Sequence, residues 1–149
     1  ENKIAEYDAF LTKQDPAFTI EELEEAMQKV MDQYAGGIGT HYQFNEKQLA
    51  MAEEKIKKLQ ILAKGLAAAD MHELMFIYEL KERLTVCLTV IAHLRARKET
   101  RWHSFAENLD YPEKSDAWLC YVNSKKNGDQ ITMIRRDLVK GGETYEHRD

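Results

Sequence analysis

Residues 70–94 read DMHELMFIYELKERLTVCLTVIAHL, and apolar side chains recur along this stretch at alternating steps of three and four positions. The spacing predicts one long helix that begins behind the N-cap residue Asp70, with Glu73 in its first turn. The middle, from Val86 to Ile91, is apolar on nearly every side, which predicts a central helix buried all round. The apolar seam of this helix consists of Ile77, Leu80, Leu84, Cys87, Ile91 and Leu94.

Two stretches nearer the N-terminus carry the same periodicity. Thr19 and Glu22 form a capping-box pattern before the first, which runs to about Tyr34, and Asn45 is the N-cap of the second. Helices with such seams pack at about 20° in left-handed bundles. We therefore expect an all-α fold, an antiparallel three-helix bundle of the spectrin-repeat type, with residues 2–13 as an added amphipathic segment. The apolar positions are Ile20, Leu23, Met27, Val30, Met31 and Tyr34, then Leu49, Ala52, Ile56, Leu59, Ala63 and Leu66.

The periodicity ends after Leu94, and the chain changes character. Residues 101–112 have neither helical nor strand spacing, although they contain Trp, Phe and Tyr. Residues 118–122 and 130–134 are typical of two strands, and Asn127-Gly128 between them is a strong hairpin signal. We therefore expect one domain, 1–149, made of a helical bundle (1–100), a connector (101–116), a β-hairpin (117–137) and a flexible tail (138–149).

The composition of the chain argues against nucleic-acid binding and against membrane insertion. The chain has 149 residues, 32% of them charged, and a net charge of −5, so it offers no electrostatic attraction to nucleic acid or to an anionic membrane. No apolar run approaches the roughly 20 residues that a membrane helix needs. Cys87 and Cys120 lie far apart and indicate free thiols in a reducing, cytoplasmic compartment. The start at Glu1, already in a helical pattern, favours a domain excised from a longer protein.

Motifs of catalysis are absent from the sequence. Gly36, Gly37 and Gly39 match neither dinucleotide nor P-loop patterns and indicate a turn. His72-Glu73 does not continue into HExxH, because position 76 is Phe76. We therefore expect no catalytic, cofactor-binding or metal-binding residue in this chain.

Aromatic and polar residues after the bundle allow two interpretations. They either anchor the connector to the bundle or form an interface with another domain or subunit, since Trp, Tyr and Arg dominate interface hot spots. The candidate interface residues are Arg101, Trp102, His103, Phe105, Asn108, Tyr111 and Trp118.

Several short motifs resemble the C-terminal segment of the succinate dehydrogenase and fumarate reductase flavoprotein family. Residues 97–102 read RKETRW, 110–112 read DYP and 116–120 read DAWLC, where the family carries Arg-x-Glu-Ser-Arg-Gly, Asp-Phe-Pro and Asn-Trp-Leu. Residues 31–37 (MDQYAGG), 72–75 (HELM) and 121–124 (YVNS) are most similar to the adenylylsulfate reductase branch of that family, in its alpha subunit. Trp102 stands where succinate dehydrogenases have Gly.

This resemblance implies a three-helix C-terminal domain of a larger flavoprotein subunit. The full enzyme would be an oxidoreductase that reduces adenylylsulfate to AMP and sulfite with FAD in dissimilatory sulfate metabolism. The FAD would lie in an N-terminal domain of the same subunit, and a beta subunit would hold two [4Fe-4S] clusters. The domain itself would be structural, would dock partners and would be inactive alone. The alternatives are a succinate dehydrogenase or fumarate reductase domain and a free-standing helical interaction module.

Overall fold

The structure is a computed structural model that describes residues 2–128 and 130–139. Four α-helices and a C-terminal hairpin make up most of it, which confirms the predicted all-α class with a small β appendage. Two short 3₁₀ turns lie at Ile38–Thr40 and Asp116–Trp118. The elements are α1 (Asn2–Leu11), α2 (Ile20–Tyr34), β1 (Gln43–Phe44), α3 (Glu46–Ala63), α4 (Met71–Ala96), β2 (Glu107–Asn108), β3 (Cys120–Asn127) and β4 (Gln130–Asp137).

Each long helix begins at a residue that the sequence marks as its cap. The Thr19 hydroxyl accepts from the Glu22 amide while the Glu22 carboxylate accepts from the Thr19 amide, and Asn45 forms the same reciprocal pair with Gln48. Asp70 accepts from two amides in the first turn of α4. These side chains satisfy amides that have no partner within the helix, and the predicted helix starts are confirmed.

The core lies where α2, α3 and α4 contact one another. Every predicted seam position of α3 is buried, and so are Ile77, Leu80, Leu84 and Ile91 of α4. Arg95, near the end of α4, binds Glu46 and Glu53 near the start of α3, so these two helices run antiparallel. The periodic apolar residues of α3 and α4 therefore form a continuous buried seam along the bundle.

Helix α1 packs on the side of α4 through aromatic rings and one ion pair. The Tyr7 ring meets the Tyr78 ring edge to face at 5.4 Å, and Phe10 is buried. The Glu6 carboxylate accepts from the Lys81 ammonium at 2.5 Å. Hydrogen bonding to Lys81 lowers the pKa of Glu6 to about 2, while burial and the neighbouring carboxylate raise the pKa of Tyr78 to about 12. Residues 2–11 are therefore an integral layer of the bundle.

Two small sheets complete the fold. β1 pairs in parallel with β2, joining the loop before α3 to the connector, and the sequence shows no sign of this pairing. β3 and β4 form the predicted antiparallel hairpin, with Asn127 opposite Gln130. Gly128 has a φ of +60°, which suits a tight turn between twisted strands. The hairpin packs against α4, which provides the support that two isolated strands lack.

The structure differs from the sequence prediction at α4 and at Trp118. Val86 and Val90 are exposed, so α4 is not buried all round within the described residues. Trp118 ends a 3₁₀ turn and the strand begins at Cys120, because the Trp118 amide bonds to the Ser115 carbonyl instead of to the opposite strand. The predicted flexible tail, 138–149, lies outside the described residues from 140 onward.

Candidate functional site

The connector folds around the buried carboxylate of Glu99. Both carboxylate oxygens accept from the Arg101 guanidinium at 2.9 Å, one also accepts from Arg97 at 2.6 Å, and the other accepts from the Ser115 amide at 3.0 Å. Burial alone would raise the pKa of Glu99, but the donors from Arg101, Ser115 and Arg97 outweigh it and hold this pKa at about 2. Glu99 is therefore an anion with four charge-assisted or backbone hydrogen bonds, and it joins the end of α4 to residue 115.

Thr100, also buried, closes the loop that follows. Its hydroxyl donates to the Tyr111 carbonyl at 2.9 Å and accepts from the Asn108 amide at 3.0 Å. Its amide donates to the Glu113 carbonyl at 3.2 Å. Residues 100–113 thus form a closed loop whose two ends are joined by the hydrogen bonds of Thr100.

Trp118 connects this loop to the hairpin. The Arg97 guanidinium lies 6.0 Å from the Trp118 ring centroid and the Arg135 guanidinium lies 4.4 Å from it, so the ring sits against two cations. Arg97 also donates to the carbonyls of Trp118 and Cys120, at 2.9 and 3.0 Å. Arg97, which follows the last turn of α4, therefore joins the connector to the hairpin.

The seven candidate interface residues separate into two groups. Asn108 is buried, the Arg101 guanidinium is occupied by Glu99, and half-buried Trp118 packs on arginines. These three serve the internal structure of the connector, as the anchoring interpretation expects. The exposed candidates are Trp102, 68% exposed, Phe105, 73% exposed, His103 and Tyr111.

Trp102, His103 and Phe105 lie at the tip of the closed loop, and Tyr111 lies at its base, with its ring 5.8 Å from the Lys98 ammonium. The Phe105 and Ala106 amides both donate to the Trp102 carbonyl, which makes a tight turn. The Phe105 ring lies 6.4 Å from the Tyr42 ring, beside the β1–β2 pair. Because Glu99 and Thr100 fix the base of the loop, the aromatic rings at its tip remain exposed to solvent. We call Trp102, His103, Phe105 and Tyr111 the connector surface.

The glycine turn after α2 is closed from within. The Gly39 amide donates to the Asp32 carboxylate at 2.9 Å, and a Cβ added at Gly37 would lie 2.4 Å from the Asp32 Cα atom. The glycines therefore permit a close backbone approach, as expected for a turn.

Among the described residues, neither a metal-binding cluster nor a membrane-spanning helix is present. Residues 2–128 and 130–139 contain no group of three or more His, Cys, Asp or Glu side chains placed to hold a metal ion. Across the same part of the chain, no helix has the length and apolar character needed to span a membrane. Burial raises the pKa of the Cys87 thiol, which disfavours a reactive thiolate.

Sequence reasoning missed the Glu99 and Thr100 cluster. The motif RKETRW carries the family resemblance, but the helical and strand periods do not mark its glutamate for burial. The signal was the pair of arginines two residues to either side of Glu99, since buried carboxylates need such partners.

Comparisons with known proteins place these features in one family. A curated relative, the adenylylsulfate reductase alpha subunit of Megalodesulfovibrio gigas, is 34% identical over 98 residues, which is 65% of this chain and 15% of that protein. The solved adenylylsulfate reductase of Archaeoglobus fulgidus superposes with a TM-score of 0.84 at 32% identity, over 97% of this chain and 24% of the other.

Two further solved structures share the fold. An adenosine-5-phosphosulfate reductase in complex with sulfite, as a covalent adduct, gives a TM-score of 0.82 at 34% identity, over 95% of this chain and 24% of that one. The FrdA chain of E. coli quinol fumarate reductase gives 0.76 at 19% identity, over 97% of this chain and 25% of that one. The model of the fumarate reductase flavoprotein C-terminal family matches residues 24–143. This match spans most of the sequence, and the chain belongs to that family of flavoprotein C-terminal domains.

Proposed function

We propose that the chain is the C-terminal helical domain of an adenylylsulfate reductase alpha subunit. It covers 15% of the length of its curated relative and 24% of each of two solved ones, so a catalytic activity would belong to a longer protein. That protein would reduce adenylylsulfate to AMP and sulfite in dissimilatory sulfate metabolism. The support is similarity above 30% identity to these reductases, against 19% to the fumarate reductase chain.

The reaction chemistry would lie outside the described residues. FAD would be bound by an N-terminal domain of the same subunit, and electrons would arrive from [4Fe-4S] clusters in a beta subunit. Residues 2–128 and 130–139 supply no metal-binding cluster, and their glycine turn is closed by Asp32. The proposed role of this domain is therefore structural, and its location with the parent enzyme would be cytoplasmic.

Docking is the function that the geometry supports best. The observation that carries it is the connector surface, where Trp102 and Phe105 are exposed although a buried ion cluster holds the loop in one conformation. Exposed aromatic residues on a preorganised loop are the typical anchors of an interface. We propose that this surface binds the iron–sulfur subunit.

The docking proposal is tested by alanine variants of the full-length subunit. Trp102→Ala and Phe105→Ala should each weaken binding of the iron–sulfur subunit about 30-fold, which corresponds to a hot-spot loss of about 2 kcal/mol. Ile38→Ala, which truncates an equally exposed side chain in the first 3₁₀ turn, is the matched control. Equal affinity for all three variants and the wild type would exclude docking through this surface.

The proposed activity is tested separately. The full-length subunit, assembled with its iron–sulfur partner, should form sulfite from adenylylsulfate and a reductant, and should leave fumarate unreduced. Fumarate turnover without sulfite release would favour the alternative, a fumarate reductase type of flavoprotein.

A further inference from the structure

Left-handed backbone conformations cluster beside the connector surface. Within residues 2–128 and 130–139, the non-glycine residues with a positive φ are Asp15 at 48°, His41 at 52°, Tyr42 at 63° and Ser104 at 71°. Such conformations are uncommon for any residue with a side chain, and for a bulky residue they are outliers. All of these residues except Asp15 lie where the loop after α2 meets the tip of the connector.

Hydrogen bonds on both sides hold Tyr42 in this strained conformation. Its amide donates to the Gly37 carbonyl at 3.0 Å, and its carbonyl accepts from the Glu107 amide at 2.9 Å. The Glu107 carboxylate also accepts from the Ser104 amide at 3.1 Å and from the Gln43 side chain at 3.2 Å. Strained residues persist only where the surrounding structure fixes them, and they concentrate at functional sites. The loop after α2 and the tip of the connector are therefore fixed as one unit.

The strained conformation places an aromatic ring against the connector surface. The ring centroids of Tyr42 and Phe105 are 6.4 Å apart and their planes are inclined by 41°, which is within the range of paired aromatic rings. Tyr42 is 36% exposed and Phe105 is 73% exposed. A glycine would adopt the same backbone conformation without strain, but it would not provide the ring.

The core of the domain makes little use of this ring. Phe44, two residues later in β1, is 4% exposed and belongs to the hydrophobic core, whereas Tyr42 lies outside it. The printed ring contact of Tyr42 is with the exposed Phe105. The backbone of Tyr42 therefore serves the fold, while its ring enlarges the exposed aromatic area of the connector surface.

We infer that Tyr42 is a second aromatic anchor for the iron–sulfur subunit, beside Phe105. This inference rests on the proposed function and extends the docking surface from the connector to the loop after α2. The partner is the same, because a protein that covers Phe105 also reaches the ring paired with it. Tyr is enriched among interface hot spots, and hot spots cluster in space. A ring that is already fixed in place also lowers the entropic cost of binding.

The test separates the strain of Tyr42 from its binding role. In the full-length subunit, Tyr42→Gly should weaken binding of the iron–sulfur subunit about 10-fold. In this chain, the same change should leave the urea midpoint of unfolding unchanged or raise it, because glycine relieves the left-handed strain. Tyr42→Asn, which also tolerates this conformation, should behave in the same way and provides a second variant if the glycine variant does not fold.

Asp15→Gly is the matched control. It relieves the same kind of strain in the loop between α1 and α2, which faces the start of α4, whereas the connector follows the end of α4. Its affinity for the iron–sulfur subunit should equal that of the wild type. An equal loss of affinity in Asp15→Gly and Tyr42→Gly would overturn the inference.

The remaining outcomes are distinguished by measuring Trp102→Ala and Phe105→Ala alongside. If these two variants bind weakly while Tyr42→Gly and Tyr42→Asn bind as the wild type does, the proposed docking stands and the inference is wrong. Full affinity in all four variants would exclude docking through this surface, and the inference with it. A urea midpoint lowered in both Tyr42 variants, whatever their affinity, would show that the ring serves the fold. Loss of flavin from the uncomplexed Tyr42→Gly subunit, with affinity unchanged, would assign the ring to a contact within that subunit and contradict the inference.

Discussion

Glu99 shows how one residue organises a loop that has no periodicity of its own. A buried carboxylate is costly unless it is paired, and here two guanidiniums and a backbone amide supply the partners. The same donors that stabilise the anion hold residues 97, 101 and 115 together. The connector therefore has a defined conformation because a charge is buried in it.

Replacing Glu99 with Gln should destabilise the chain by about 3 kcal/mol at neutral pH, since one partner of a buried ion cluster is lost. The pKa of Glu99 is about 2 in the folded chain against an ordinary value of 4.5, so its contribution is complete above pH 4.5 and is lost as the pH falls towards 2. Urea unfolding of the wild type and the variant at several pH values measures this difference.

The exposed Glu82 on α4 provides the control, because Glu82→Gln removes a carboxylate with the same chemistry from the surface. That variant should change the free energy of unfolding by less than about 0.5 kcal/mol at every pH. A gap between wild type and Glu99→Gln that stayed constant from pH 7 to pH 2 would show that the charge of Glu99 is not the cause.

At the scale of the element, α4 has a buried side and an uncovered one. Leu84 is fully buried in the bundle, while Val86, two residues later, is 60% exposed. Leu84→Ala should therefore cost about 2–5 kcal/mol of unfolding free energy in the isolated chain, and Val86→Ala less than about 0.5 kcal/mol. Thermal or urea unfolding of both variants checks the contrast, and comparable losses would mean that Val86 is covered within the chain itself.

The hairpin turn depends on the backbone conformation of Gly128 and not on the space around it. Gly128 has a left-handed φ of +60°, and a Cβ added there meets no atom within 4 Å. Gly128→Ala should thus cost about 1 kcal/mol through conformation and not through a clash, and it should speed hydrogen exchange of the amides in β3 and β4. Gly128→Asn, which tolerates this conformation better, should have a smaller effect; an Asn variant as perturbed as the Ala variant would contradict the explanation.

The helices could be predicted from the sequence because their signals are local. Thr19, Asn45 and Asp70 cap helices by contacts within four residues, and the seams follow a fixed period. The β1–β2 pair joins residues 64 positions apart, and neither strand is longer than two residues, so no local pattern marks it. The prediction that Val86 is buried was wrong. An apolar helix indicates a packing partner, but its sequence does not show whether that partner belongs to the same domain.

At the scale of the whole molecule, the hydrogen bonds and ion pairs inside the connector determine which candidate interface residues are exposed. The sequence identified seven interface candidates by residue type, and four of them are exposed. The other three could not be separated in advance, because Arg101 and Asn108 are occupied through partners up to 14 residues away. Docking through this loop is therefore proposed on the exposure of its aromatic residues and on its preorganised conformation.

At this scale, FAD binding is expected of the full-length subunit and not of the isolated chain. The isolated chain should purify without colour and should leave the fluorescence of added FAD unchanged, whereas the full-length subunit should retain flavin. Within the described residues, the glycine turn directs its Gly39 amide at the Asp32 carboxylate, so the donor that a pyrophosphate would need is taken by another anion. A net charge of −5 adds general repulsion of an anionic cofactor. Quenching of FAD fluorescence by the isolated chain would contradict this, whereas quenching that appears only in Asp32→Ala, where the Gly39 amide is released, would show that Asp32 excludes the anion from the turn.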